Sequence, residues 1–184
     1  MMAADGQALR ENYRFLARYN RWFNERLYEA CARLPDDSRK ADRGAFFASI
    51  HGTLNHLLWA DRLWLRRFAD QGVAFPSLTG DVLALPERAA HATVLYDSWD
   101  KLRDERARLD RAIDEWVRDM PPGFPLQLVR YSNTRGVWRE HPAWQALTHF
   151  FNHQTHHRGQ VTTLLAQAGI DPGITDLIAL VGQE

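Results

Sequence analysis

The stretch that decides the fold is QALRENYRFLARYNRWFNERLYEACAR, residues 7–33, because apolar side chains recur along it at spacings of four and three. Such spacing places side chains on one face of an α-helix. The stripe comprises Leu9, Tyr13, Leu16, Phe23, Leu27 and, just beyond the stretch, Leu34. This face is typical of a helix in a bundle, so residues 7–33 predict the first helix of an all-α protein.

One polar residue, Asn20, interrupts this stripe between Leu16 and Phe23. A buried asparagine is usually satisfied by hydrogen bonds within the protein. The alternative is that Asn20 lines an internal site. The general rule favours the first interpretation, and the sequence leaves the second open.

Two more helices are predicted after the polar segment PDDSRKADR, residues 35–43, which indicates a loop. Residues 44–70 carry Phe, Leu and Trp on more than one face, which is typical of a buried helix. The connection Gly72–Pro86 is long and rich in turn residues, so the following helix need not be an antiparallel neighbour. That helix is predicted from about Pro86 to Met120, with proline in its first turn.

The predicted third helix is rich in charge. KLRDERARLDR, residues 101–111, indicates a solvated, ion-paired surface. Arg106 nevertheless occupies a position on the apolar stripe. We expect its stem to pack against the core while its guanidinium reaches water or an acid.

The last third of the chain predicts a small β-hairpin and a fourth long helix. PLQLVRYS and GVWREH flank a turn at residues 133–135, a pattern typical of two paired strands. The helix is predicted from Pro142 to about Ala168, with Gly169 in the left-handed position after its end. A short helix is expected over ITDLIALV, residues 174–181. Residues 1–184 are predicted to form a single domain.

Composition argues against several classes of protein. Lys plus Arg and Asp plus Glu both number 23, so the formal net charge is zero. Binding to nucleic acids or to anionic membranes depends on clustered positive charge, so neither is expected. The only cysteine, Cys31, excludes an internal disulfide and fits a reducing compartment. The N-terminal sequence lacks the pattern of a signal peptide, and a cytoplasmic location is predicted.

Histidines supply the main functional signal. Four of the eight fall within HFFNHQTHH, residues 149–157, where His149, His153 and His157 are spaced by four. On a helix, a step of four residues rotates by about 40° and rises by about 6 Å, so two such imidazoles can chelate one ion. The HExxH zinc motif uses this spacing, but its glutamate is absent here. Spacing alone does not distinguish a metal-binding pair of histidines from a pair that occurs by chance.

A metal site would need a further ligand from another helix, because catalytic zinc usually takes three ligands from the protein. The predicted second helix offers His56 in SIHGTLNHLLWADRLW, and His51 is an alternative one turn earlier. Small residues about one turn away on the same side would leave room for an ion and its waters: Gly52, Thr53 and Ala60. Asp61 lies five residues after His56, which suits a contact with another helix better than ligation. Structural roles are expected for His149, His156 and His51.

The sequence also resembles the DinB family of bacterial helical-bundle proteins, which is distinct from the DNA polymerase of that name. The resemblance lies in SIHGTLNHLLWADRLWLRRF, FNHQTHHRGQVTTLLAQAG and RYNRWFNERLYEA, and extends over nearly the whole chain. It implies a four-helix bundle with up-down-down-up topology and a long crossover between the second and third helices. It also implies a divalent metal ion bound by His56, His153 and His157, and a homodimer.

Related proteins use low-molecular-weight thiols such as mycothiol and bacillithiol. The resemblance therefore suggests a metal-dependent transferase or hydrolase that acts on a small molecule, with zinc or nickel as the favoured metal and a thiol as a candidate co-substrate. No general base is evident. Two alternatives remain: a non-catalytic metal-binding protein of the stress response, and a helical interaction module. A diiron bundle is disfavoured because Glu-x-x-His does not occur in the chain.

Overall fold

The structure, a computed structural model, describes residues 2–182, with side chains from Asp5 onward. As predicted, it is mostly helical with one small hairpin. Its helices are α1 (Met2–Ala32), α2 (Asp36–Lys40), α3 (Ile50–Ala69), α4 (Trp99–Asp119) and α5 (Ala143–Gln167), with 3₁₀ turns at Phe124–Leu126 and Leu177–Leu180. Strands β1 (Leu128–Ser132) and β2 (Trp138–Pro142) pair antiparallel, with Ser132 opposite Trp138 next to the turn.

The four long helices form a bundle with the predicted up-down-down-up topology. The pair α1 and α4 is antiparallel, since Arg21 meets Asp114 while Tyr28, further along α1, stacks on Trp99 at the start of α4. The pair α3 and α5 is also antiparallel, and α1 runs parallel to α5. Because α3 and α4 point the same way, the chain between them must return along the length of the bundle.

A buried ion pair network holds α3 and α4 together in the core. The Arg106 guanidinium on α4 donates to Asp61 on α3 at 2.6 Å and to Asp110 at 2.7 Å. All three side chains are at most 3% exposed. Burying charge is costly unless each group is paired and hydrogen-bonded, so these contacts fix how the two helices meet.

The same network reaches α1 and α5 through Asn20. The Asn20 amide donates to Asp110 at 2.9 Å, and its carbonyl oxygen accepts from Arg158 of α5. Asn20 is therefore a satisfied buried polar residue, as the general rule predicts. Arg106 does reach an acid, as expected. The predicted solvated face of residues 101–111 is wrong at Asp110, which is 2% exposed.

The third long helix begins much later than predicted, at Trp99 rather than Pro86. Residues 86–98 instead form a non-helical strap along α3. Their backbone groups are bound by α3 side chains: Trp59 donates to the Ala89 carbonyl at 3.1 Å, and Asn55 accepts from the Tyr96 N–H at 2.9 Å. Backbone groups satisfied in this way do not need helical pairing. Ser98 then caps the new helix.

Three smaller differences concern the edges of elements. The predicted loop at 35–43 contains the short helix Asp36–Lys40, and α3 begins at Ile50, where Ser49 caps it by accepting from the Gly52 N–H. The expected helix near the C-terminus is a 3₁₀ turn, Leu177–Leu180. The left-handed Gly169 after α5 is confirmed, with φ of 77°.

Within residues 2–182, none of the helices is long and apolar enough to span a lipid bilayer.

We expect Arg106→Ala to lower the free energy of unfolding by about 3–5 kcal/mol, because it leaves two buried carboxylates unpaired. The matched control is Arg103→Ala on the same helix, which removes exposed ion pairs with Asp100 and Asp104. Its expected cost is at most about 1 kcal/mol. Urea unfolding of both variants measures the difference, and equal losses would contradict a stabilising role for the buried network.

Candidate metal centre

Three histidines converge between α3 and α5. The Nε2 atom of His153 lies 3.3 Å from Nε2 of His56 and 3.1 Å from Nε2 of His157. The possible ligand atoms of the three residues all lie within 4.8 Å of one another. Two imidazole nitrogens on one tetrahedral zinc ion lie about 3.3 Å apart, since Zn–N bonds measure about 2.0–2.1 Å. The spacing of this histidine trio therefore fits a single ion.

Hydrogen bonds on the far side of the rings orient two of the three histidines. Nδ1 of His56 donates to the His91 carbonyl oxygen at 2.7 Å, and Nδ1 of His157 donates to Oε1 of Gln160 at 2.7 Å. With a proton on each Nδ1, both rings direct an Nε2 lone pair towards His153. A single N–H on His153 cannot satisfy both lone pairs well, whereas a bound cation satisfies all three rings.

Burial keeps the trio neutral. It lowers the pKa of His56 to about 4, and proximity to His157 acts in the same direction. It lowers the pKa of His153 to about 3, again with a contribution from His157, and it also lowers the pKa of His157. Since histidine ordinarily titrates near 6.5, the three rings are uncharged at neutral pH. Neutral imidazole is the form that binds a metal ion.

Phe47 covers one side of the trio. Its ring stacks on His56 with 3.9 Å between ring centroids, and its edge approaches His157 at 5.5 Å. Trp59 lies 5.9 Å from His56. These contacts restrict rotation of the His56 ring and exclude water from it. Phe47 precedes Ala48, which has an unusual positive φ of 61°, and such backbone strain is common near functional sites.

The prediction that Gly52 leaves room for an ion is wrong. A Cβ atom at position 52 would lie 2.2 Å from the Phe47 carbonyl oxygen, so the space belongs to the backbone that carries Phe47. The glycine is needed for this close approach. It therefore acts on the trio indirectly, by letting the Phe47 ring reach His56.

Other residues singled out in the sequence lie away from the trio. Nε2 of His51, the alternative to His56, contacts the Tyr96 carbonyl oxygen at 2.9 Å, so this ring binds the strap. Asp61 is a helix partner, as expected, through Arg106. His149 and His156 flank the trio, with ring centroids 5.7 Å from His153 and 4.8 Å from His157, respectively.

Comparison with known proteins places the chain in a family. The sequence model of the DinB family matches residues 8–183. The chain belongs to the DinB family. A relative from Bacillus subtilis strain 168, named Protein DinB, is 27% identical over 162 residues, which cover 88% of each chain. No solved structure gives a significant match to this DinB-family chain.

Two contributors to the site escaped the sequence reasoning in this DinB-family chain. The His91 carbonyl is a backbone group, which no side-chain motif can indicate, and residue 91 lies in the first part of the predicted helix, before the observed start of α4 at Trp99. Phe47 was assigned to the second helix, although it lies before its capping residue Ser49. The sequence signal that could have revealed both is the serine that caps each helix. Ser49 and Ser98 mark where α3 and α4 begin, so the residues before them, including Phe47 and His91, lie outside the helices.

We expect Gly52→Ala to destabilise the protein by about 1–3 kcal/mol, because the added Cβ forces the Phe47 backbone away from α3. The matched control is Gly159→Ala in α5, where a Cβ would meet nothing within 4 Å. That change should be neutral or stabilise by up to about 1 kcal/mol. Thermal and urea unfolding provide the measurement. If Gly52→Ala were as stable as Gly159→Ala, the Phe47 backbone would not lie this close to residue 52.

We expect the metal-free protein to lose stability as the pH falls from 7 towards 5. The folded state keeps His153 and His56 uncharged, with pKa values of about 3 and 4, while histidines of the unfolded chain take up a second proton below about pH 6.5. Unfolding therefore takes up protons, so acid favours the unfolded state. His153→Asn should flatten the dependence of the melting temperature on pH, whereas His141→Asn, outside the trio, should not. If the melting temperatures of wild type and His153→Asn changed with pH in the same way, His153 would not be buried in its uncharged form.

Proposed function

We propose that this chain binds one divalent metal ion through His56, His153 and His157, and that it is a metal-dependent enzyme of the thiol-dependent transferase or hydrolase type. The observation that carries the proposal is the convergence of three neutral imidazoles within 4.8 Å. Zinc and nickel suit such a nitrogen donor set. The substrate would be a small molecule, and the proposed assembly is a homodimer.

The residues present suit a catalytic metal better than a structural one. Structural zinc sites have four protein ligands, whereas catalytic sites have three and leave a position open. Among the described residues, no carboxylate or thiolate joins the three histidines as a fourth ligand. His56, His153 and His157 would hold a divalent ion without neutralising its charge, and such an ion would supply the Lewis acidity that makes a water or a thiol nucleophilic near neutral pH.

A thiol taking part in such chemistry would have to come from outside the chain. Cys31 is fully buried, and burial raises its pKa to about 12. A protonated, inaccessible thiol is neither a nucleophile nor a ligand. A thiol co-substrate of this chain would therefore be a free low-molecular-weight thiol.

The two alternatives differ in what they need around the trio. A metal-binding protein of the stress response needs no substrate space, and an interaction module needs a large apolar patch. Cavities of about 390 and 570 Å³ lie beside Phe47 and Trp59, the two aromatic neighbours of His56. Both cavities contact the aromatic neighbours of His56 and not the trio itself, so the metal and activity measurements decide between the three functions.

We expect metal-free protein to bind one zinc ion per chain and to melt roughly 5–10 °C higher at a free zinc concentration of about 100 times Kd. His153→Ala should abolish this shift because it removes the central ligand. The matched control is His156→Ala, an exposed histidine beside the trio that should retain both the stoichiometry and the shift. Calorimetry and thermal unfolding provide the measurements. Absence of stoichiometric binding, or full binding by His153→Ala, would overturn the metal proposal.

Catalysis is tested by a separate screen. Zinc-loaded and nickel-loaded protein would be incubated with bacillithiol, mycothiol or glutathione and a panel of electrophiles and esters. We expect turnover with at least one pair, lost on metal removal and in His153→Ala. Turnover no faster than that of the free metal ion with every pair would favour the non-catalytic alternative.

A further inference from the structure

A cavity of about 320 Å³ lies in the groove between the antiparallel helices α1 and α4, and no histidine of the trio lines it. Four of its lining side chains are polar and at most 4% exposed, so the cavity reaches into the core. These four side chains form its floor: Asn24, Tyr28, Arg106 and Asp110. The cavity therefore joins solvent to the buried polar groups that hold the bundle together.

Two hydrogen-bond donors of this floor lack an acceptor. Among the residues that the structure describes, neither the Tyr28 hydroxyl nor Nε of Arg106 has a hydrogen-bond partner. Burial raises the pKa of Tyr28, so the hydroxyl keeps the proton that it can donate. Arginine nitrogens can only donate, so a group that completes this floor must offer an acceptor. Leaving a buried donor unpaired costs free energy, which an oxygen atom of a ligand would recover.

The carboxylate of the floor is already engaged. Asp110 accepts from the amides of Asn20 and Asn24 and from the Arg106 guanidinium. It therefore offers little to a further donor, whereas the two free N–H and O–H groups remain to be satisfied. The floor favours a ligand oxygen over a ligand N–H group.

Negative charge lines the same cavity nearer to solvent. The exposed carboxylates of Glu25 and Glu29 belong to its lining and lie one turn apart on α1. Within residues 5–182, Glu29 forms no ion pair, and Glu25 has only a long one, 3.9 Å from Nε of Arg21.

The positive charges of the lining are neutralised by other acids. The exposed Arg103 pairs with Asp100 at 3.3 Å and with Asp104 at 3.2 Å. Arg106 pairs with the two buried carboxylates described above. The unbalanced charge of the cavity is therefore that of the two glutamates, and it favours a cation at the opening.

We propose that this cavity binds a small organic cation that also carries an oxygen acceptor, the chemistry of an amino amide. The oxygen accepts from Tyr28 and Arg106 on the floor, and the ammonium group pairs with Glu29 at the opening. This binding requires neither the metal nor the activity proposed above, because the cavity and the trio share no residue.

The size of the cavity and the strength of its contacts both limit the ligand. A volume of about 320 Å³ is at the lower end of the roughly 300–1,000 Å³ typical of ligand pockets, so a compact molecule is the appropriate scale. An exposed ion pair alone contributes little to affinity. The hydrogen bonds to the buried donors therefore supply the specificity, and both ends of the ligand are needed.

The test uses metal-free protein, so that an amine cannot bind a metal ion, and follows titrations by NMR. The probe is 4-aminobutanamide, and its two controls are butanamide, which lacks the ammonium group, and butylamine, which lacks the amide oxygen. We expect the probe to shift resonances of cavity residues on α1 and α4 and to bind about threefold to tenfold more tightly than either control. Equal affinity for all three compounds, or shifts confined to other parts of the protein, would overturn the proposal.

Tyr28→Phe tests the floor of the cavity. It removes a hydroxyl that has no partner in the protein, so the melting temperature should not fall, whereas the advantage of 4-aminobutanamide over butylamine should shrink. The matched control is Tyr13→Phe, which removes a hydroxyl bonded to the Trp144 carbonyl oxygen and to Thr148. That variant should melt at a lower temperature and keep the wild-type preference. A lower melting temperature for Tyr28→Phe would show that its hydroxyl already has a partner, which would also overturn the proposal.

Glu29→Gln tests the opening. It should remove the advantage of 4-aminobutanamide over butanamide without changing the melting temperature, because Glu29 forms no ion pair among residues 5–182. The matched control is Glu115→Gln, an exposed glutamate of α4 outside the cavity lining, which should bind the probe like wild type. Wild-type affinity in both Tyr28→Phe and Glu29→Gln would place the probe elsewhere and contradict the site.

Discussion

The charged contact between Arg106, Asp61 and Asp110 is the constraint on which the rest of the bundle depends. It involves α3 and α4 directly and reaches α1 and α5 through Asn20 and Arg158. Apolar packing tolerates small slides of one helix along another, but buried ions do not, because a displaced partner leaves a charge unsatisfied. The network lies next to the trio in sequence: Arg158 follows His157, and Asp61 comes five residues after His56. The same contacts that set the register of the helices therefore set which histidines face each other.

The long helices and much of the candidate site could be predicted from the sequence. Apolar periodicity identifies α1, Pro142 and Gly169 mark the ends of α5, and the spacing of His153 and His157 places both on one side of that helix. The choice of His56 over His51 could not come from periodicity, since both are buried on α3. It depends on the strap, which occupies His51 through the Tyr96 carbonyl. The family resemblance identified His56 as the third ligand, and in the structure its ring lies next to those of His153 and His157.

Two errors share a physical origin. Asp110 stands within a run of charges, and no local rule distinguishes a carboxylate that meets a buried arginine from one that meets water. Residues 86–98 carry helix-compatible side chains, but their backbone groups find partners on α3 instead of within a helix. In both cases, tertiary hydrogen bonds overrode the local pattern. Asp110 accepts from Asn20 and Asn24 of α1 as well as from Arg106, and the strap is bound by Trp59 and Asn55 of α3.

The strap binds His56 through a backbone carbonyl, at His91, and this has a consequence for sequence variation. Any amino acid offers the same carbonyl, so the identity of residue 91 is free to drift without loss of that hydrogen bond. The length of the strap is not free in the same way. The strap is anchored on both sides of His91, at Ala89 by Trp59 and at Tyr96 by Asn55. One residue inserted or deleted between these anchors would move the His91 carbonyl away from the His56 imidazole. This part of the site therefore depends on the number of residues in the strap and not on which amino acid stands at position 91.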